Sequence, residues 1–430
     1  MADVSANVQD IYDHFDMQRP PVRSNMAPLT LAAALCVPSV LSHHTKVTRI
    51  GTDDLKPPYL LLCNHNAFQD FKVAMKCTYP NRTNFVVAID GFIGREELLR
   101  QLGCICKRKF TRDIQLIRQL TQVIKNGDIA VLYPEARYSL CGTTAVLPSS
   151  LGKLCKILGV PVVTLICHGH HINSPFWNLK GKHVAPLEAE FSLLFDASEL
   201  KRSSAAEINR KIVERFQYDD YLWQKQNGIR INYKKRAEGL HKVLYQCPHC
   251  LAEFSMRSEG INLNCNACGK SWTMTELGEL TTNSGETEFR HIPDWYEWER
   301  ANVRQEVESG TYSSGDLPAA VMSLPNARKF ISFGEGVLRH DMTGFHVHNS
   351  CTNSRSFDME IPASLQYSVH IEYEYLGKYG DCVDLNTLDE TWYISPHDCD
   401  FAVTKMALAT EELYFYYIKQ KGKPVEPGLA

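Results

Sequence analysis

Between Tyr59 and about Leu200 the chain alternates short apolar runs with amphipathic stretches. Residues 59–63 (YLLLC), 84–89 (NFVVAI), 129–133 (IAVLY) and 160–166 (VPVVTLI) are short and almost wholly apolar, the pattern of strands buried on both faces. Within RDIQLIRQLTQVIKNG (112–127), Ile114, Ile117, Leu120 and Ile124 fall on one helical face, with Asp113 placed to cap its start and Gly127 to stop it. Strands alternating with helices predict an α/β unit: a mostly parallel sheet flanked by helices, whose ligands bind beyond the carboxyl ends of its strands.

The pattern changes downstream. Residues 201–245 are polar and helix-prone and predict a helical connector; 246–281 form a compact cysteine module, followed by the Thr, Ser and Gly rich linker LTTNSGETE. An amphipathic helix, DWYEWERANVRQEVESG, leads into a β-rich region with a hairpin turn at 341–344 and a further strand in TWYISPHD. The chain closes on a helix whose Val403, Met406, Thr410, Leu413 and Tyr417 share a face. The expected layout is therefore an N-terminal membrane-interface helical segment (1–54), an α/β catalytic unit (55–200), the connector (201–245), the cysteine module (246–281) and a β-rich C-terminal domain (290–430) ending in a helix. Strands followed by one helix are similar in order to pleckstrin-like domains.

Residues 24–45 contain no Asp, Glu, Lys or Arg, but Pro28 and Pro38 interrupt them and the apolar core is shorter than the roughly 20 residues of a spanning helix. A helix lying in the membrane interface fits the segment, and a helical hairpin buried against the next domain is the alternative. The acidic start, without an apolar core, does not resemble a secretory signal and predicts a cytoplasmic protein at the membrane's lipid surface.

With 430 residues, 44% of them hydrophobic and 22% charged, the chain can bury a large core, and a net charge of -3 excludes a surface built throughout for nucleic acid, so no nucleic-acid partner is expected. Fifteen cysteines without an export signal suit reduced thiols and a metal site better than a disulfide framework. Their spacing is decisive. CPHC, then 14 residues, then CNAC offers Cys247, Cys250, Cys265 and Cys268 as four thiolates in a tetrahedron, the donor set of a structural zinc ribbon.

Three further stretches carry chemistry. LLLCNHNAFQD sets His65 at the end of an apolar run and Asp70 in the first turn of the following helix, within reach of one imidazole nitrogen. The other nitrogen is then free to take a proton from a substrate hydroxyl. GCICKRKFTRD clusters Lys107, Arg108, Lys109 and Arg112 where a phosphate would find several donors. In LYPEARYSLCGTT, Glu135 and Arg137 leave a strand on a proline-led turn, the arginine able to hold phosphate and the glutamate to order the turn. The histidines of CHGHH (167–171) are expected to be ordinary hydrogen-bonded side chains.

In this order NHNAFQD, GCICKRK, YPEARYS and VPVVTL resemble the four blocks of the glycerophospholipid (lysophosphatidic acid) acyltransferase superfamily over roughly residues 55–195. The resemblance implies that His65 is the general base, Asp70 orients it, and Asn64, Lys107, Arg108, Lys109, Glu135 and Arg137 bind substrate. It implies an acyl-CoA or acyl carrier protein thioester as donor and a lysophospholipid or related phosphate-bearing alcohol as acceptor. The blocks also depart from the family. Ala67 replaces a common serine, Ala136 the third block's glycine and Thr164 the fourth block's second proline, while Arg137 falls one position before the usual arginine, whose place Tyr138 takes. Those departures leave a second reading, a non-catalytic lipid-binding or scaffold protein that keeps the fold.

Overall fold

The computed structural model describes residues 13–179, 186–349, 357–377 and 379–422. Its first sheet contains β1 (Lys46–Ile50), β2 (Leu60–Cys63), β3 (Thr83–Ala88), β4 (Ile105–Lys107), β5 (Ile129–Leu132), β6 (Val162–His168) and β7 (Glu188–Phe195), in the order β1-β7-β6-β2-β5-β3-β4. Strands β2 to β6 run parallel, whereas β7 is antiparallel to β6 and parallel to β1. The sheet is thus mostly parallel, as the strand–helix alternation predicts.

Every residue of β2 is buried, because helices cover both faces. Leu61 and Cys63 pack toward α1 (Met26–Ser42) and α2 (Gln69–Thr78). Leu60 and Leu62 face α3 (Ile114–Lys125), α4 (Leu151–Leu158) and α5 (Ala205–Arg215). The predicted cap of α3 is present: Asp113 Oδ1 accepts from the Gln115 and Leu116 amides.

Two boundaries differ from the sequence expectation. Ile208, Ile212 and Phe216 belong to the core under the first sheet, so α5 flanks the α/β unit and does not form an arm. Its polar composition conceals an amphipathic face at spacing i, i+4, i+8. The remainder of 201–245 holds one short helix, Asp220–Gln226, and beyond it turns with a single 3-10 segment, Leu240–Lys242. At the other end, β1 lies within the stretch expected to be purely helical, as an edge strand beside β7.

The cysteine module is an antiparallel sheet of β8 (Met256–Glu259), β9 (Asn262–Cys265), β10 (Ser271–Met274) and β11 (Leu280–Thr281). It packs on α6 (Ile292–Glu308) through an edge-on contact of Trp272 with Trp295, ring centroids 5.0 Å apart, and Trp295 Nε1 donates to the Gln246 carbonyl at 2.9 Å. The C-terminal sheet comprises β12 (Leu317–Leu324), β13 (Ile331–Asp341), β14 (Gly344–His348), β15 (Asp358–Pro362), β16 (His370–Glu372), β17 (Cys382–Asn386) and β18 (Thr391–Pro396). All its pairings are antiparallel, in the order β15-β14-β13-β12-β18-β17-β16, and α7 (Val403–Gln420) follows.

This sheet docks on the first unit. Leu324, Ala327, Tyr375, Cys382 and Tyr393 share a buried cluster with α1, α2 and β2.

Candidate active site

Strand β2 ends where its backbone can no longer pair with both neighbours, and Asn64 takes over. Its Nδ2 donates to the Cys167 carbonyl at 2.9 Å and its Oδ1 accepts the Cys167 amide at 2.8 Å, prolonging the β2–β6 link by one side chain. Asn64 is 0% exposed, so it is a structural bridge and not the substrate-binding residue expected from the sequence.

His65 follows. Its Nδ1 lies 3.4 Å from Asp70 Oδ2, and the same oxygen accepts the amides of Asn66 at 2.6 Å and Ala67 at 3.0 Å. Those amides precede α2, whose N-cap Phe68 has no polar side chain, so Asp70 satisfies the turn from within the helix's first turn. The other carboxylate oxygen, Oδ1, touches Nδ1 of His170. Burial alone would raise the pKa of Asp70, but His170 and then His65 outweigh it and bring it down to about 2. Asp70 is therefore a fixed anion between two imidazoles. His170 is fully buried against Asp70.

The third block clamps the backbone of His65. Glu135 Oε1 accepts the His65 amide at 3.0 Å, Oε2 accepts the Ala145 amide at 2.8 Å, and Tyr218 Oη donates to Oε2 at 3.0 Å. The Ser139 amide donates to the His65 carbonyl at 2.9 Å. Burial pushes the Glu135 carboxyl up to about 7, against the pull of these donors. Glu135 consequently fixes the backbone at His65. Tyr133 and Tyr138 flank the imidazole, with ring centroids 4.4 and 4.3 Å away. The tyrosine standing in the family arginine's place is therefore a wall for His65. Ala136, in the family glycine's place, adopts φ 55°, the left-handed region that a glycine enters without cost.

His65, 22% exposed at its side chain, opens into a cavity of about 1320 Å³. Phe68, Phe71, Phe85, Ile117, Leu154 and Ile157 give it an apolar lining; Lys107, Lys109, Arg112 and Arg137 supply cations. Lys107 also donates to the Thr111 carbonyl at 2.8 Å, and burial lowers its pKa to about 8 against the attraction of Asp113. Lys109 stands 3.4 Å from Asp384 and 3.9 Å from Asp90. Arg108 does not reach the cavity. It is 1% exposed and donates to the carbonyls of Leu324 at 3.1 Å and Pro325 at 2.8 Å and to Thr391 Oγ1 at 2.9 Å, so the expected phosphate ligand is instead a tie to the C-terminal sheet.

Arg137 has a divided role. Its Nη2 donates to Glu411 Oε1 at 2.6 Å, and Glu411 also receives Arg300 Nη1 at 2.7 Å and Ser368 Oγ at 2.7 Å. Its Nε and Nη1 are buried without a hydrogen-bond partner. Two donors of a cavity-lining guanidinium thus remain for a ligand.

The four cysteine sulfurs converge. Cys247 Sγ and Cys268 Sγ are 3.8 Å apart, Cys250 Sγ and Cys265 Sγ 3.7 Å, and all four lie within 4.8 Å of one another, so the cluster can hold a metal ion. Elsewhere, α1 exposes Leu31, Leu35 and Leu41, and the cavity-lining Phe68 is also exposed. Among the described residues no helix is long and apolar enough to cross a membrane.

Residues 42–168 match the family model described as Acyltransferase, a span that contains β1 to β6 and ends with β6. No curated protein matches the chain. Among solved structures, the crystal structure of the 1-acyl-sn-glycerophosphate (LPA) acyltransferase PlsC from Thermotoga maritima is similar at 16% identity and a TM-score of 0.35, over 44% of this chain and 76% of that one.

Proposed function

We propose that the chain is an O-acyltransferase that moves a fatty acyl group from a thioester to the hydroxyl of a lysophospholipid or related phosphate-bearing acceptor. The observation that carries this reading is a histidine held by Asp70 on one ring nitrogen, clamped at its backbone by Glu135 and Ser139, and open to a large, mainly apolar cavity with a buried, part-unpaired arginine. It also speaks against the scaffold reading, for which the pair would stand apart or the groove be sealed.

In the proposed reaction His65 Nε2 takes the acceptor's hydroxyl proton as the oxygen attacks the thioester carbonyl. The tetrahedral intermediate collapses, the carbon–sulfur bond breaks, and the imidazolium returns the proton to the departing thiolate. Asp70 stabilises the imidazolium and keeps the tautomer that leaves Nε2 free. The nucleophile belongs to the substrate, so no acyl-enzyme forms. Arg137, with Lys107 and Lys109, offers the acceptor's phosphate its donors. The donor, acyl-CoA or an acyl carrier protein, delivers its chain to the apolar part of the cavity.

The exposed leucines of α1 support docking on a lipid surface from the cytoplasmic side. The strand order of the C-terminal domain and its closing helix favour the pleckstrin-like reading. The cysteine cluster fits structural Zn²⁺: a tetrahedron with Zn–S bonds of about 2.3 Å has edges of about 3.8 Å. Bound there, zinc would fix Cys247, Cys250, Cys265 and Cys268 and brace the module against α6.

Incubating purified protein with labelled acyl-CoA and a panel of lysophospholipids tests the reading. Acylated lipid should appear with the native chain and fall by 10² to 10⁴ with His65→Ala, the usual weight of a positioned base. Product at equal rates from both would overturn it.

A further inference from the structure

The cavity wall opposite the first sheet comes from the C-terminal domain. Leu365, Tyr367, His370, Glu372, Tyr375 and Tyr414 line it there. Charge is unevenly shared on this wall. Asp90, Glu372 and Asp384 gather around a single lysine, Lys109, whose ammonium lies against Asp384 and Asp90. Glu372 shares the charge of Lys109 with those two, and its nearest partner is the neutral His370, whose Nε2 is 2.8 Å from its Oε1. Burial drives the pKa of His370 down to about 3, so it donates a hydrogen bond there without bringing a positive charge. Burial likewise pushes Glu372 and Asp384 up to about 7 each. The cluster is short of positive charge on the side where Glu372 faces the cavity.

A deficit of the opposite sign lines the same cavity. Arg137 is 4% exposed, and its Nε and Nη1 have no partner although Glu411 holds its Nη2. The two lie near enough for the Arg137 charge to act on His370, the neighbour of Glu372 on β16. A buried guanidinium with idle donors is completed by an anion, and a group of three carboxylates around one lysine by a further cation.

We propose that the acceptor is a zwitterionic lysophospholipid, its phosphate against Arg137 and the ammonium of its head group against Glu372. The proposal rests on the acyl-transfer reading above and adds the C-terminal domain as the part that selects the head group. A free phosphate would satisfy Arg137 alone, and a glycerol head group would bring Glu372 hydrogen bonds without charge.

Initial rates with lysophosphatidylethanolamine, lysophosphatidylglycerol and lysophosphatidate of one chain length separate these cases. The native protein should prefer the ethanolamine lipid by at least tenfold in kcat/KM. Glu372→Gln should reduce that preference at least tenfold, while Glu372→Asp, which keeps the charge, should retain part of it. Preference for lysophosphatidate or lysophosphatidylglycerol in the native protein overturns the head-group assignment alone, as does a preference unchanged by Glu372→Gln. Transfer to none of the three overturns the acyl-transfer reading, and this proposal with it.

Discussion

Glu411→Gln removes the one negative charge that joins two guanidiniums from different parts of the chain. Glu411 is 0% exposed and accepts Arg137 at 2.6 Å, Arg300 at 2.7 Å and Ser368 at 2.7 Å. Both arginines hold its pKa below the ordinary value although burial alone would raise it. An amide in its place leaves the buried Arg137 without its carboxylate partner, while Arg300 keeps Glu297 and Glu412. Breaking a buried pair from one side costs about 3–5 kcal/mol, a large share of the roughly 5–15 kcal/mol that keeps a protein folded. Arg137→Ala alone strands the remaining charge of Glu411 less completely, since Arg300 still holds it, and should cost about 2–4 kcal/mol. The double variant should cost less than the two together, with a coupling of about 2 kcal/mol, because the second substitution no longer breaks a contact. Urea unfolding of all four proteins, followed by tryptophan fluorescence, yields the cycle. Additivity within about 0.5 kcal/mol would refute the reasoning and undock α7 from the third block.

Three other outcomes follow from the geometry. Ala136→Gly should raise stability by up to about 1 kcal/mol, since glycine enters φ 55° freely; a lower unfolding midpoint would contradict the strain. Asp70 has a folded pKa of about 2 against an ordinary 3.8, so its ionised form contributes stability that is full above about pH 4 and lost as pH falls toward 2. Asp70→Asn should therefore cost about 2 kcal/mol at neutral pH and flatten that part of the acid-unfolding curve; equal acid limbs would count against a buried carboxylate anion. Elemental analysis should find one zinc per chain, lost in Cys250→Ser together with the order of residues 246–281; iron or no metal would exclude the zinc assignment.

The central strands were legible because β2, β5 and β6 are buried on both faces, which leaves unbroken apolar runs in the sequence. The dyad was legible because His65 and Asp70 are local, joined by a turn whose amides Asp70 itself caps. Long-range partners leave no such trace. Arg108 is tied to Leu324, 216 positions away, and Arg137 to Glu411, 274 positions away, so a basic cluster that suggested phosphate binding partly serves the seam between two units. His170 meets Asp70 only because β6 lies beside β2. Its place just beyond the end of β6 was visible, but the contact needed the strand order. The packing of α5 under the first sheet was missed for a different reason, its few apolar positions being diluted by charged neighbours.

Release of free thiol from acyl-CoA, with and without an added lysophospholipid, tests the central claim most directly, since direct transfer by His65 requires the acceptor's hydroxyl. The native protein should release thiol at an acceptor-dependent rate, with no acyl group left on the chain by mass spectrometry. Well-folded His65→Ala should lose 10²-fold or more of that rate, roughly 3 kcal/mol or more in barrier. Acceptor-independent release, an acylated chain, or near-native turnover by His65→Ala would contradict the account.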